Sequence, residues 1–337
     1  MSNLKPINRP IISVIMSVYN GIPFLKESIE SILSQTFTNF EFIIIDDCSS
    51  DNSLSTIKNY AQIDERIVYI ENSKQLQLTK SLNIGMQVAT GKYIARQDAD
   101  DISLPNRFKS QIDYMETNTK VGVLGTSAEY INEKDKSILL SRRPTNKTFL
   151  KWKLLFGNPL IHSSVMFNSE LVKRIGGYDP KFVRSQDYAL WSKFSNITDI
   201  SQLPDILIKH RKHSKSIHGL NAKEQFETSL KIMHSNINAL LKTNVDIEHV
   251  RLLRKLSSNP LNSMKEYEIA HALLKSITST FILKNPEDCA AIKLITSDSY
   301  DIINKWNNEP IAVTQNKLLR IVNRLKYSIG KIKGAQE

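Results

Sequence analysis

The sequence predicts an α/β protein in which a mostly parallel sheet is flanked by helices and followed by a helical C-terminal region. Three observations predict it. Short apolar runs alternate with helix-period segments over the first hundred residues, as in strands joined by crossover helices. These runs are apolar throughout rather than alternating, as strands covered on both faces are. Polar clusters follow the first, second and fourth runs, which gathers them at the carboxyl edge of the sheet, where such folds bind ligands.

Ile11–Val18 is the first strand, bounded by Asn20-Gly21. A helix follows over 23–35, with Phe24, Ile29, Ile32 and Leu33 on one side. Glu41–Ile45 is a second buried strand ending at Asp46-Asp47, and a short helix spans 51–60. Arg66–Ile70 is the third strand and Leu78–Ala89 a helix closed by Thr90-Gly91. The fourth strand, Tyr93–Arg96, runs into Asp98-Ala99-Asp100-Asp101, and Pro105 opens a helix to Thr117. Past this point the order is less regular. Strands are expected at Val121–Ile131, Ser163–Phe167 and Ile206–His210, and helices at Asn146–Phe156 and Gln186–Phe194. From about Asn221 the chain reads as helical, punctuated by Asn259-Pro260, Asn285-Pro286 and Glu309-Pro310. The expected organisation is a tail over 1–10, a catalytic domain over 11–220 and a helical region over 221–337.

The acidic cluster carries the most chemistry. In extended backbone, residues i and i+2 point the same way, so Asp98 and Asp100 are expected to face one site. Anions held that close repel unless a cation sits between them. Carboxylate oxygens suit Mg2+ or Mn2+, with substrate phosphate filling further positions. A solvated acidic turn is the alternative.

Composition narrows the classes. The 337 residues are 41% hydrophobic and 23% charged, ordinary for a soluble globular protein. No run approaches the roughly 18 apolar residues of a membrane span, and Met1–Pro10 lacks a signal-peptide apolar region. Two cysteines, Cys48 and Cys289, supply neither a disulfide framework nor a zinc site, which points to a reducing cytoplasm. The net charge of +11 asks for an anionic partner. Over 316–334 six basic residues and no acidic one interleave with Leu318, Val322, Leu325, Ile329 and Ile332 at helical spacing. Such a helix can lie on an anionic bilayer, giving a peripheral position on the inner face of the plasma membrane, or pack on the body with its basic face in water. Aromatic-interleaved basic patches of the nucleic-acid kind are missing, so no nucleic-acid partner is expected. Neither a Gly-x-Gly-x-x-Gly after the first strand nor a Walker-type phosphate loop occurs.

Several segments occur in a familiar order: Ser13–Asn20, Ser31–Phe37, Ile45–Asp51, Leu82–Gly85, Gly91–Arg107, Gly176–Asp179 and Gln186–Trp191. Over about residues 10–220 the chain resembles the family 2 glycosyltransferases of the Rossmann-like GT-A fold, inverting enzymes that use nucleotide-activated sugars. The resemblance implies roles. Tyr19 would pack on the nucleotide base, and Asp47 would accept the imide N–H of a uracil, an acceptor-only group meeting a donor. Asp46 is a cap for the following turn. Asp98 would contact the ribose or a metal-bound water, and Asp100 would ligate Mn2+ or Mg2+. Asp101 and Arg107 read as local structure, a helix N-terminal charge and a partner for the acidic loop.

Asp187 matches the family's base, which takes the proton of the acceptor hydroxyl. His162, Arg211 and His213 are candidate contacts to donor sugar, diphosphate or metal, and Gly176–Asp179 reads as a turn on the acceptor side. Cys48 stands where many relatives have glycine, and Gln186 where they have an acid. The implied reaction moves a sugar from a nucleotide-sugar donor, a UDP-sugar first of all, to a saccharide or lipid-linked acceptor in surface polysaccharide or glycolipid synthesis. Two rivals are a sugar-phosphate nucleotidyltransferase, which needs a Gly-rich basic loop where Tyr19-Asn-Gly-Ile-Pro23 stands, and a non-catalytic basic membrane or nucleic-acid binder.

Overall fold

A computed structural model describes residues 9–213, 222–256 and 261–307. These divide into two compact units, parted between Ile232 and Met233. The segment 316–334, read above as a basic amphipathic helix, lies outside the described residues.

The first unit opens with β1 (Ile12–Val18), α1 (Leu25–Leu33), β2 (Phe40–Asp46), α2 (Ser53–Ile63), β3 (Ile67–Glu71), α3 (Leu78–Val88) and β4 (Tyr93–Asp98). These four strands are mutually parallel in the order β3-β2-β1-β4, as their continuous apolar runs require. Val14, Met16, Phe42 and Ile44 face the core that includes α1, while Ile15, Ile43 and Ile45 face the one that includes Leu82 of α3. Each such side chain contributes roughly 1.5–3 kcal/mol on burial. Gly91, before β4, packs so close to β1 that a Cβ would stand 2.6 Å from the Ser13 nitrogen.

Beyond β4 the sheet becomes mixed. β5 (Ile102–Ser103), α4 (Arg107–Thr117), β6 (Val121–Ile131), β7 (Ser137–Ser141), α5 (Lys147–Leu154), β8 (Met166–Asn168), α6 (Ser169–Arg174), α7 (Gln186–Ser195) and β9 (Asp199–Arg211) complete the unit. The sheet continues β4-β8-β6-β9-β5, with β7 hairpinned onto β6.

Three differences from the sequence reading have physical causes. Residues 163–167 do not form one strand: His162–Ser164 is a 3-10 turn before β8, because Ser164 Oγ donates to the Ile161 carbonyl and accepts from Thr126 N, a local side-chain alternative to a ladder. β9 begins seven residues earlier than expected. Its pairing with β6 passes from Thr126–Leu203 to Ser127–Ile206, so Pro204 and Asp205 bulge out and the strand tolerates its proline. β5, β7 and α6 have no periodic signal; β5 is two residues long, and four of the five β7 residues are exposed.

In the second unit, α8 (Ala222–Leu241) leads in from the first and is followed by α9 (Ile247–Leu256), α10 (Met264–Lys284) and α11 (Cys289–Asn307). Val250, Leu253, Leu274, Ile277 and Ile295 are buried. No described helix is long and apolar enough to cross a membrane.

Candidate active site

The loops after β1 and β2 are stitched together at the carboxyl edge of the sheet. Asn20 N donates to Ser49 Oγ (3.0 Å), Ser50 N donates to Asn20 Oδ1 (2.8 Å), and Gly21 N donates to Ser53 Oγ (2.9 Å). Tyr19 is 49% exposed at this seam. Cys48 sits in the left-handed region at φ 64°, which explains why glycine suits its place.

Asp46 caps its turn, with Oδ2 accepting from Ser49 N at 3.0 Å, and its buried Oδ1 has no donor among the described residues. Asp47 is buried and heavily used. Its Oδ1 accepts from Asn72 Nδ2 (2.8 Å), Leu76 N (2.8 Å) and Ser81 Oγ (3.0 Å), and Oδ2 from Gln77 N (2.8 Å). It therefore fixes the 72–77 loop and the start of α3, a structural role beyond the base recognition implied by resemblance.

The acidic loop differs from the extended geometry expected of it. β4 stops at Asp98, and Ala99-Asp100 turn, so the two carboxylates take different partners. Asp98 Oδ1 accepts from Arg96, a buried arginine that also donates to the Ile15 carbonyl. Asp100 Oδ2 lies 2.8 Å from His213 Nε2. The two remain electrostatically linked: burial first, then Asp101 and Asp98, push Asp100 up to about 6, opposed by His213.

Asp101 is not a helix N-terminal charge, since α4 begins only at Arg107. Its carboxylate is 1% exposed and accepts from Ser163 Oγ, His210 Nδ1 (2.9 Å) and the Arg211 N–H (2.8 Å). Burial works against a charged His210, but Asp101, with Asp98 and Asp100, outweighs it and raises the imidazole. Arg107 bonds none of the acidic side chains; it donates to Gln97 Oε1, Ser103 Oγ and the Arg96 and Val165 carbonyls, locking β4 to the chain before β8.

Arg211 is equally enclosed. Its side chain is 1% exposed and donates to the Asp100 carbonyl (2.9 Å), the Asn132 carbonyl (3.2 Å), Asp135 and Glu27 (2.7 Å), with its guanidinium over the Phe24 ring. It clamps the acidic loop from beneath, engaged on every side.

A second cluster forms around α7. Asp187 lies in its first turn, with Oδ2 accepting from Asn158 Nδ2 (2.7 Å) and Oδ1 from Tyr188 N (2.8 Å). His162 Nε2 lies 2.7 Å from the Tyr178 hydroxyl. Tyr178 follows a turn in which Gly176 (φ 80°) and Gly177 (φ 69°) are both left-handed, and Asn83 pins it, donating to its carbonyl and accepting its N–H. Burial holds the Tyr178 phenol far above its ordinary value; Arg96 opposes this, and Asp187 and Asp98 add to it.

Among the described residues no three His, Cys, Asp or Glu side chains converge as a ready metal cage. Asp98 is already paired with Arg96, and Asp101 with Ser163, His210 and the Arg211 N–H. The donor set fits a divalent ion completed by substrate phosphate, with Asp100 and His213 as the protein's share. Asn158 and Arg96 have no role in the sequence reading, and Asp101 and Tyr178 are read there only as local structure and part of a turn; the partners of Asn158, Tyr178 and Asp101 lie 16 to 110 positions away, and Arg96 gives only the signal of a lone arginine in a buried strand.

Residues 13–176 match the model of Glycosyl transferase family 2. The chain is 33% identical over 292 residues to an uncharacterized glycosyltransferase of Haemophilus influenzae, covering 80% of this chain and 85% of that one. It is 35% identical to the O-antigen biosynthesis glycosyltransferase WbnJ of Escherichia coli, covering 61% and 81%. In structure it is similar to S. aureus TarS 1–349 in complex with UDP-GlcNAc (TM-score 0.59, 17% identity, 87% of this chain and 90% of that one). It is also similar to the mannosyltransferase PcManGT of Pyrobaculum calidifontis in complex with GDP-Man and Mn2+ (0.54, 17%, 89% and 88%). These likenesses set aside the nucleotidyltransferase and non-catalytic readings: the chain belongs to glycosyltransferase family 2 and is a glycosyltransferase on the GT-A fold.

Proposed function

We propose that the protein transfers a hexosyl or N-acetylhexosaminyl group from a nucleotide sugar, a UDP-sugar first of all, to a saccharide or lipid-linked hydroxyl, with inversion, in cell-surface polysaccharide or glycolipid assembly. One observation carries the reading: the stretch that matches glycosyltransferase family 2 gathers Tyr19, Asp47, Asp98 and Asp100 at the carboxyl ends of β1, β2 and β4 of one parallel sheet. The O-antigen relative and the nucleotide-sugar complexes of the structural neighbours are consistent with it.

Asp187 Oδ2 takes the proton of the acceptor hydroxyl. The acceptor oxygen forms its bond to the anomeric carbon as the bond to the nucleoside diphosphate breaks on the opposite face. Asn158 and the Tyr188 N–H orient the Asp187 carboxylate for that transfer, and Tyr178 with His162 forms a fixed wall beside it. Tyr19 stacks on the base, Asp47 shapes and lines its pocket, and Asp98 faces the ribose. Asp100 and His213 would hold Mn2+ or Mg2+, which when bound neutralises charge on the departing diphosphate. The test is donor hydrolysis across a panel of nucleotide sugars with Mn2+. Slow UDP release from one donor, lost in Asp100→Ala, supports the reading. Turnover of GDP-sugars alone contradicts the donor assignment.

A further inference from the structure

The β6–β7 hairpin presents Ile138, Leu139 and Leu140 at 54, 55 and 56% exposure. Successive strand residues point to opposite faces, so aliphatic side chains stand on both faces of β7, and packing on one core does not account for them. Among the described strands β7 pairs with β6 alone, Leu139 opposite Tyr130 and Leu140 opposite Glu129. An edge strand of this kind is a liability unless something uses it.

Its frame is basic on balance, although Glu133 stands among the lysines and Asp135 is taken up by Arg211. Lys134 and Lys136 precede the aliphatic run and Arg142 follows it. The same two lysines, with Lys212, His213, Asn132 and one acid, Glu133, line an open cleft of about 650 Å³. That cleft is tied to the acidic loop, because His213 bonds Asp100 and Arg211 joins the hairpin's Asp135 to the Asp100 carbonyl.

We propose that this hairpin docks on an anionic lipid bilayer, with Ile138, Leu139 and Leu140 entering the acyl boundary and Lys134, Lys136 and Arg142 meeting headgroup phosphates. An apolar tip inside a basic collar is the chemistry of interfacial binding. Edge-to-edge pairing with a second copy is disfavoured by the same collar, since it brings like charges together. Docking would hold the acidic loop near the membrane surface, where a lipid-linked acceptor is presented. The proposal goes beyond the catalytic reading and stands if that reading fails.

The test uses the full chain and phosphatidylcholine vesicles with and without phosphatidylglycerol. Wild type is expected to sediment with the anionic vesicles only. The triple variant Ile138→Ser, Leu139→Ser, Leu140→Ser and the double variant Lys134→Glu, Lys136→Glu are each expected to lose about tenfold or more in partitioning, with unchanged thermal melts. Leu139→Trp supplies a readout independent of those variants: its added emission should be quenched by brominated acyl chains. Absence of that quenching overturns the proposal, as does hairpin-independent vesicle binding, which would assign attachment to another segment. Dimerisation of wild type abolished by the triple variant also overturns it, in favour of a second copy.

Discussion

Asp101→Ala should be among the most damaging single changes in the first unit, although Asp101 touches neither donor nor acceptor in the proposed reaction. The wild-type carboxylate is buried and accepts from a serine hydroxyl, an imidazole and a backbone N–H. The Ser163 hydroxyl can rotate toward another acceptor, but the Arg211 N–H and the His210 ring are fixed by β9. Each donor left without an acceptor in this buried setting costs about 1–3 kcal/mol, so losing the shared acceptor of both costs about 2–6 kcal/mol. Asp101→Asn keeps the shape and one acceptor, so its cost should be about 1–2 kcal/mol. Urea unfolding followed by circular dichroism measures both. A destabilisation by Asp101→Ala below about 0.5 kcal/mol, the range of an ordinary surface change, would refute the reasoning that Asp101 anchors the acidic loop to β9.

Other predictions follow from single contacts. Cys48→Gly should stabilise the protein by about 0.5–1 kcal/mol in the same unfolding assay, because glycine adopts the left-handed backbone found there without Cβ strain. Asn158→Ala should lower kcat with little change in KM, since Asn158 orients the Asp187 carboxylate; a raised KM with kcat unchanged contradicts that role. Asp100, pushed up to about 6, favours the protonated folded state. Its charge therefore works against the metal-free fold above about pH 6, and that cost fades as the pH falls toward the ordinary carboxylate value of 3.8. Mn2+ should accordingly raise the melting temperature more at pH 7.5 than at pH 5, and not at all in Asp100→Ala; equal shifts at both pH values would contradict it.

The parallel half of the sheet was legible because strands buried on both faces leave continuous apolar runs, as in Ile43-Ile44-Ile45. The rest was hidden for identifiable reasons. Pro204 interrupts β9 in sequence but only bulges it in space. β7 carries no alternation because neither face is core. In the site, the chain positions of Asp98, Asp100 and Asp187 were readable from motif order, whereas their partners were not. Arg96 answers Asp98 from two residues away, yet its role depends on burial; His213 meets Asp100 only because β9 returns beside β5. The enclosure of Arg211 by Glu27, Asp135 and the Asp100 carbonyl, from separate elements, has no signature in its own sequence neighbours.

The most direct test of the central claim is transfer by Asp187→Asn, measured beside calorimetric binding of UDP and Mn2+. Loss of the base should reduce kcat by about 10²–10⁴-fold while nucleotide and metal affinities stay within about twofold of wild type. Near-normal transfer by Asp187→Asn, with binding intact, would contradict the assignment of Asp187 as the group that takes the acceptor proton.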